Sequence, residues 1–139
     1  MLVLTDTDPA ISSEDFLQFE EILGKKLPEA MMDFYLKHNG GQPQVRGVHD
    51  EHHLFPFNSF DSLEEMRKSL TWYDDEAVPA GFRATDLLHF AYDPGSGNYA
   101  LSLREEDYGM VYFYVLEETA ELYGQWPSFE FFLNSFVEE

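Results

Sequence analysis

The spacing of apolar residues changes period along this chain, and that change restricts its fold more than any other feature. In the first half they recur three and four apart. Phe16, Phe19, Ile22 and Leu23 follow a capping Ser12 or Ser13, and Met31, Phe34 and Tyr35 follow Leu27-Pro28. Leu63, Met66, Leu70 and Tyr73 follow Ser62, which forms a capping box with Glu65. These segments predict three helices. From Leu87 onward the spacing is that of strands: an apolar run over 87–92, then Tyr99, Leu101 and Leu103 alternating with Ala100 and Ser102, then a Val-, Tyr- and Phe-rich run over 110–116. Turn-forming stretches at 94–98 and 105–109 separate the runs, which therefore read as an antiparallel meander. Ser128 caps a last helix with Phe129, Phe132, Leu133 and Phe136 on one face. Helices and strands that cluster rather than alternate predict an α+β fold, a mainly antiparallel sheet covered by helices, in a single domain over residues 1–139.

The second helix runs into Asn39-Gly40-Gly41. A glycine-rich phosphate cradle precedes a helix, so that the N-terminal amides face the anion; this one follows a helix and carries no Gly-Lys-Ser or Gly-Lys-Thr. The triplet reads as a helix stop, with Asn39 and Gly40 suited to the left-handed cap and Gly41 with Pro43 redirecting the chain. Gly24 offers a similar stop to the first helix.

Charge narrows the choice of partner. With 27 acidic and 8 basic residues the formal net charge is −19, which would repel a phosphate backbone and attract a basic protein. No nucleic-acid partner is expected. The absence of cysteine removes disulfides, thiol nucleophiles and zinc-thiolate sites. The start, MLVLTDTDPA, lacks the basic residues and long apolar run of a secretory signal, and no stretch reaches the length of a membrane helix, so a cytoplasmic location without membrane contact is expected.

Two segments suggest chemistry. At helical spacing His49, His52 and His53 would share one side with Asp50 and Glu51 between them, as a zinc ion needs; extended geometry would split His52 from His53. Ser96 lies in PGSGN, which lacks the Gly-x-Ser-x-Gly elbow and an assignable base, so a hairpin turn is the simpler reading. No catalytic residue, metal ligand or cofactor is assigned. The candidate partner-binding residues are acids beside aromatics: Asp74, Asp75 and Glu76 next to Trp72 and Tyr73; Glu105, Glu106 and Asp107 next to Tyr108; and Glu117, Glu118 and Glu121 after the third strand. Acids at 74–76 would oppose the dipole of the third helix if it extended that far. Trp126 is assigned to the core, and Arg46, Arg83 and Arg104 to pairs with surface acids.

The order of these motifs resembles the SUKH superfamily, which takes in the yeast cell-wall synthesis regulator and many bacterial immunity proteins. Its pattern is a helix ending near Gly (Gly24), Leu-Pro opening a helix (Leu27, Pro28) and Asn-Gly-Gly closing it (Asn39, Gly40, Gly41). It continues with a strand (87–92), a Gly-containing turn before a second (95–103), Gly109 before an aromatic third (110–116), and Ser128-Phe129 with Phe132-Leu133 opening the last helix. The family often places Asp where Asn98 and Ser102 stand here. The resemblance implies a non-catalytic function. It points to an immunity protein that binds a bacterial polymorphic toxin, often a nuclease, and an acidic surface could then cover a basic active site as a phosphate mimic. Two alternatives remain: a regulatory protein-interaction module, and a small metal-dependent hydrolase using His49–His53.

Overall fold

A computed structural model describes residues 2–137. Helix α1, Ser13–Leu23, starts at a reciprocal capping box between Ser12 and Asp15 and ends at Gly24, whose φ of 78° lets its amide return to the Glu20 carbonyl. Pro28 stands just before α2, Glu29–Lys37, rather than inside its first turn. Helix α3, Leu63–Ser69, opens on the Ser62–Glu65 capping box, and Ser128 accepts the Phe131 amide to start α4, Phe129–Leu133. Phe136 lies beyond α4, in a short strand, so it does not share that helical face.

The principal sheet is antiparallel, with strands in the order β5 (Ser59–Phe60), β6 (Leu87–Tyr92), β7 (Gly97–Ser102), β8 (Val111–Leu116) and β9 (Ala120–Trp126). The predicted meander is β6 to β8; β9 extends it, and Trp126 is its buried last residue. Smaller ladders surround it: β1 (Leu4–Thr5) with β2 (Gln42–Pro43), and β3 (Gly47–His49) between β4 (Leu54–Pro56) and β10 (Phe136–Val137). The α+β expectation holds.

Both faces of the sheet are covered. Alternation sends Leu88, Tyr99, Leu101, Val111, Phe113 and Trp126 to an inner face, where they join Phe16, Met31 and Phe34 from α1 and α2 and Phe129 and Phe132 from α4. The outer face carries Leu87, Ala100, Tyr112 and Tyr114 beneath Val78 and Phe82 of the 70–86 segment. A strand buried on both sides loses its polar alternation, which is why Ala100 and Ser102 are as inaccessible as Tyr99 and Leu101.

The Asn39-Gly40-Gly41 triplet differs from the expectation in one respect. Asn39 is not left-handed; α2 closes on the extended His38, and positive φ begins at Gly40 (79°) and continues at Gly41 (121°). The Asn39 side chain instead donates to the Pro9 carbonyl and accepts the Leu63 amide at 2.8 Å, joining the end of α2 to the start of α3. A Cβ on Gly40 would lie 2.7 Å from the Ser62 nitrogen, so close backbone packing as well as conformation requires glycine there. The triplet fixes how α3 meets α2.

Candidate functional site

The acids at 74–76 do not sit at the end of α3. That helix stops at Ser69, and a separate 3-10 turn, Asp75–Ala77, begins with Asp74 accepting the Glu76 and Ala77 amides. Negative charge therefore lies at a helical N-terminus, where it is favourable. Asp75 accepts the Ala84 amide at 2.8 Å and so closes the loop.

Trp72 and Tyr73 separate. Tyr73 stacks on His89 with ring centroids 3.7 Å apart, and its hydroxyl donates to Asn98 Oδ1. Trp72 is 71% exposed. Tyr73 and His89 thus anchor the 70–86 segment on the outer face, and the indole is left in solvent next to the acidic turn.

The β7–β8 turn is also divided. Asp107 pairs with Arg104 at 2.6 Å and accepts hydrogen bonds from the Ser102 and Tyr112 hydroxyls. Partial burial alone would raise its pKa, but the bonds from Arg104, Ser102 and Tyr112 outweigh that and bring it down to about 2. The Arg104 guanidinium lies over the Phe82 ring at 3.8 Å and donates to the Gly81 carbonyl, tying the far end of the 70–86 segment to the turn. Tyr108 donates its hydroxyl to the Lys26 carbonyl. Glu105 and Glu106 remain exposed. Of Arg46, Arg83 and Arg104, only Arg104 forms an ion pair among the described residues; Arg46 bonds Asn58 and Gln42 instead.

Glu117 and Glu118 occupy the β8–β9 turn, and Glu121 lies within β9, accepting the Thr119 hydroxyl. Strand direction places Glu105 and Glu106 at one end of the sheet and Glu117 and Glu118 at the other, beside the β6–β7 turn. The Tyr73 hydroxyl reaches Asn98 at the start of β7, beside that second end, whereas Asp75 holds Ala84, which leads into Leu87 at the first. The 105–106 and 117–118 acids therefore form two separate surfaces.

Asn98 and Ser102, which stand where the superfamily often has Asp, share the outer face with Ala100 and make these contacts. The PGSGN turn is organised by Asp93, whose carboxylate accepts the Gly95 and Gly97 amides. A Cβ on Gly97 would meet Asp93 and the Phe113 ring at 2.5 Å. Ser96 belongs to a built turn, with its carbonyl accepting the Leu116 amide.

The 49–53 segment is extended at His49 and then turns, with Asp50 accepting the His52, His53 and Gln125 amides. Among the described residues no three His, Asp or Glu side chains are grouped to hold a metal. This turn instead forms one wall of a groove of about 680 Å³ whose other walls include Leu122, Tyr123 and Phe131. These three are 44%, 54% and 56% exposed. The sequence pattern predicts no strand over 120–126, where Leu122-Tyr123 breaks alternation and Gly124 interrupts it. The cause is a bulge opposite Phe113 and Tyr114, with Gly124 admitting the Phe55 ring. Phe131 could have been identified from sequence, since it falls off the 129–132–133 face.

The model of the SMI1/KNR4 family (SUKH-1) matches residues 10–135. The chain belongs to this family. A comparison with curated proteins gives no match. Among the described residues no helix is long and apolar enough to cross a membrane.

Proposed function

We propose that this chain is a non-catalytic immunity protein that captures a bacterial toxin, a nuclease being the class its charge suits best, and blocks its active site. The observation that carries the reading is Trp72, an indole 71% exposed beside Asp74, Asp75 and Glu76 in a chain of net charge −19. Acids accelerate encounter with a basic surface, and an exposed aromatic supplies the apolar contact that slows release. Family membership supports a binding role. Glu76, Glu105, Glu106, Glu117, Glu118 and Glu121 are the acids we assign to steering; Asp74, Asp75, Asp107, Tyr73 and Tyr108 position them through the contacts described.

A regulatory interaction module could use the same surface, and gene neighbourhood separates the two. An immunity gene adjoins a toxin gene. The test is co-expression with the toxin domain encoded beside it, scored by cell survival and by a complex that weakens as salt rises. Unchanged survival without a complex would remove the immunity reading.

A further inference from the structure

We propose that the free edge of β9 and the adjoining groove take an extended, basic segment of the toxin, paired as an added strand at Ala120–Leu122 with one apolar side chain seated against Tyr123 and Phe131. This rests on the immunity reading and names a second part of the contact. β9 is the outermost strand of the principal sheet. The Leu116 amide turns away from β9 to the Ser96 carbonyl, so Ala120, opposite Leu116, lies outside the β8 hydrogen-bond ladder. Alternation then turns the backbone groups of Ala120 and Leu122 to the free edge. Further along, the Gln125 amide is already held by Asp50 at 3.3 Å, which limits the open stretch to the beginning of the strand.

The occupant follows from charge. Among the described residues no Lys or Arg lines the groove, Asp50 and Glu51 do, and Glu117, Glu118 and Glu121 stand exposed along the edge. A second copy of this chain would bring another −19 to the same edge, whereas a basic segment is attracted. Strand addition supplies backbone pairing, and the groove selects the side chain. From β6, where Tyr73 is anchored, to β9 is about 14 Å at ordinary strand spacing. A standard interface covers about 800 Å² per partner, about 30 Å across, which is wide enough to span the sheet from β6 to β9.

The experiment uses the toxin domain encoded beside the gene, with affinity measured by calorimetry and amide hydrogen exchange measured on the free protein and the complex. Protection of the Ala120 and Leu122 amides is expected on binding, with Tyr123→Ser and Phe131→Ser each weakening affinity at least tenfold while the thermal midpoint of the free protein holds. If the wild type binds but those amides gain no protection, or if both variants bind as wild type, the groove assignment is wrong and the immunity reading stands. If the wild type does not bind at all, both are overturned.

Discussion

The two faces of the principal sheet are held in different ways. On the inner face rings meet rings: Phe132, fully buried, lies within 4.9 to 6.4 Å, centroid to centroid, of Phe57, Phe60, Phe90, Tyr99, Trp126 and Phe136. On the outer face polar groups recur: the Tyr73 hydroxyl and the Gly81 carbonyl of the covering segment bond Asn98 and Arg104, His89 Nε2 meets the Tyr114 hydroxyl at 2.6 Å within the sheet, and Arg104 pairs with Asp107 in the β7–β8 turn. Shape and volume should govern the first face, and hydrogen bonding and pH the second. The sharpest test of the inner face is Phe132→Ala, which leaves a cavity amid rings that cannot all collapse into it. Urea unfolding should show a loss of about 3–5 kcal/mol. A loss below ~1 kcal/mol would mean the inner face repacks freely.

Asp107→Asn probes the outer face with almost no change in volume. It removes the charge that Arg104, Ser102 and Tyr112 address, and the same unfolding assay should show a loss of about 2 kcal/mol at pH 7. The sign of the pH dependence follows from the depressed pKa. In the folded chain Asp107 titrates near 2 rather than 3.8, so its contribution is present above the unfolded value and fades as pH falls from about 4 to 2. Wild type and Asp107→Asn should converge across that window, whereas Phe132→Ala should keep its deficit.

Two groups, His89 on the outer face and Asp61 just before α3, titrate in opposite senses. Burial, with Glu65 nearby, raises the Asp61 carboxyl from 3.8 to about 7, so the folded chain holds the extra proton between those values and stability falls as pH rises through them. Burial lowers His89 from 6.5 to about 4, so the unfolded chain holds the extra proton there and stability rises with pH. The two contributions oppose each other over much of one interval. Asp61→Asn removes one of them. At pH 8 it should stabilise the protein by about 1–2 kcal/mol. Between pH 6.5 and 4.5 it should then lose stability more steeply than wild type, as His89 acts unopposed. Parallel curves over that range would show that Asp61 is not strained when ionised.

The inner face was legible in the sequence, because the inner positions of β6, β7 and β8 and the 129–132 spacing follow the periods of strand and helix. The outer face was less so. Tyr73 extends the helical spacing of α3 but serves as an anchor beyond its end, and nothing local shows that Asp74 opens a new turn. Asp107 is indistinguishable by sequence from Glu105 and Glu106, and only the return of β8 brings Tyr112 to it. Leu122 and Tyr123 were hidden by the bulge that exposes them. Asn39-Gly40-Gly41 reads as a helix stop, but its contact with α3 depends on a residue 24 positions away.

Trp72 is the residue for which the two faces give the smallest stability effect and the clearest functional one. At 71% exposure its indole adds little to either core, and the anchoring of its loop falls to Tyr73 and the Asp74–Asp75 turn. Trp72→Ala should therefore shift unfolding by less than about 0.5 kcal/mol, as exposed substitutions do. If the indole is the apolar anchor of the toxin contact, the same substitution should weaken binding by about 2 kcal/mol or more, chiefly through faster dissociation. Glu76→Gln should instead slow association and flatten its dependence on salt, because a rim charge acts on encounter. Stopped-flow binding at two ionic strengths separates the two. A Trp72→Ala protein that unfolds early would place the indole in the core, and one that binds with unchanged dissociation would remove it from the interface while leaving the acids in place.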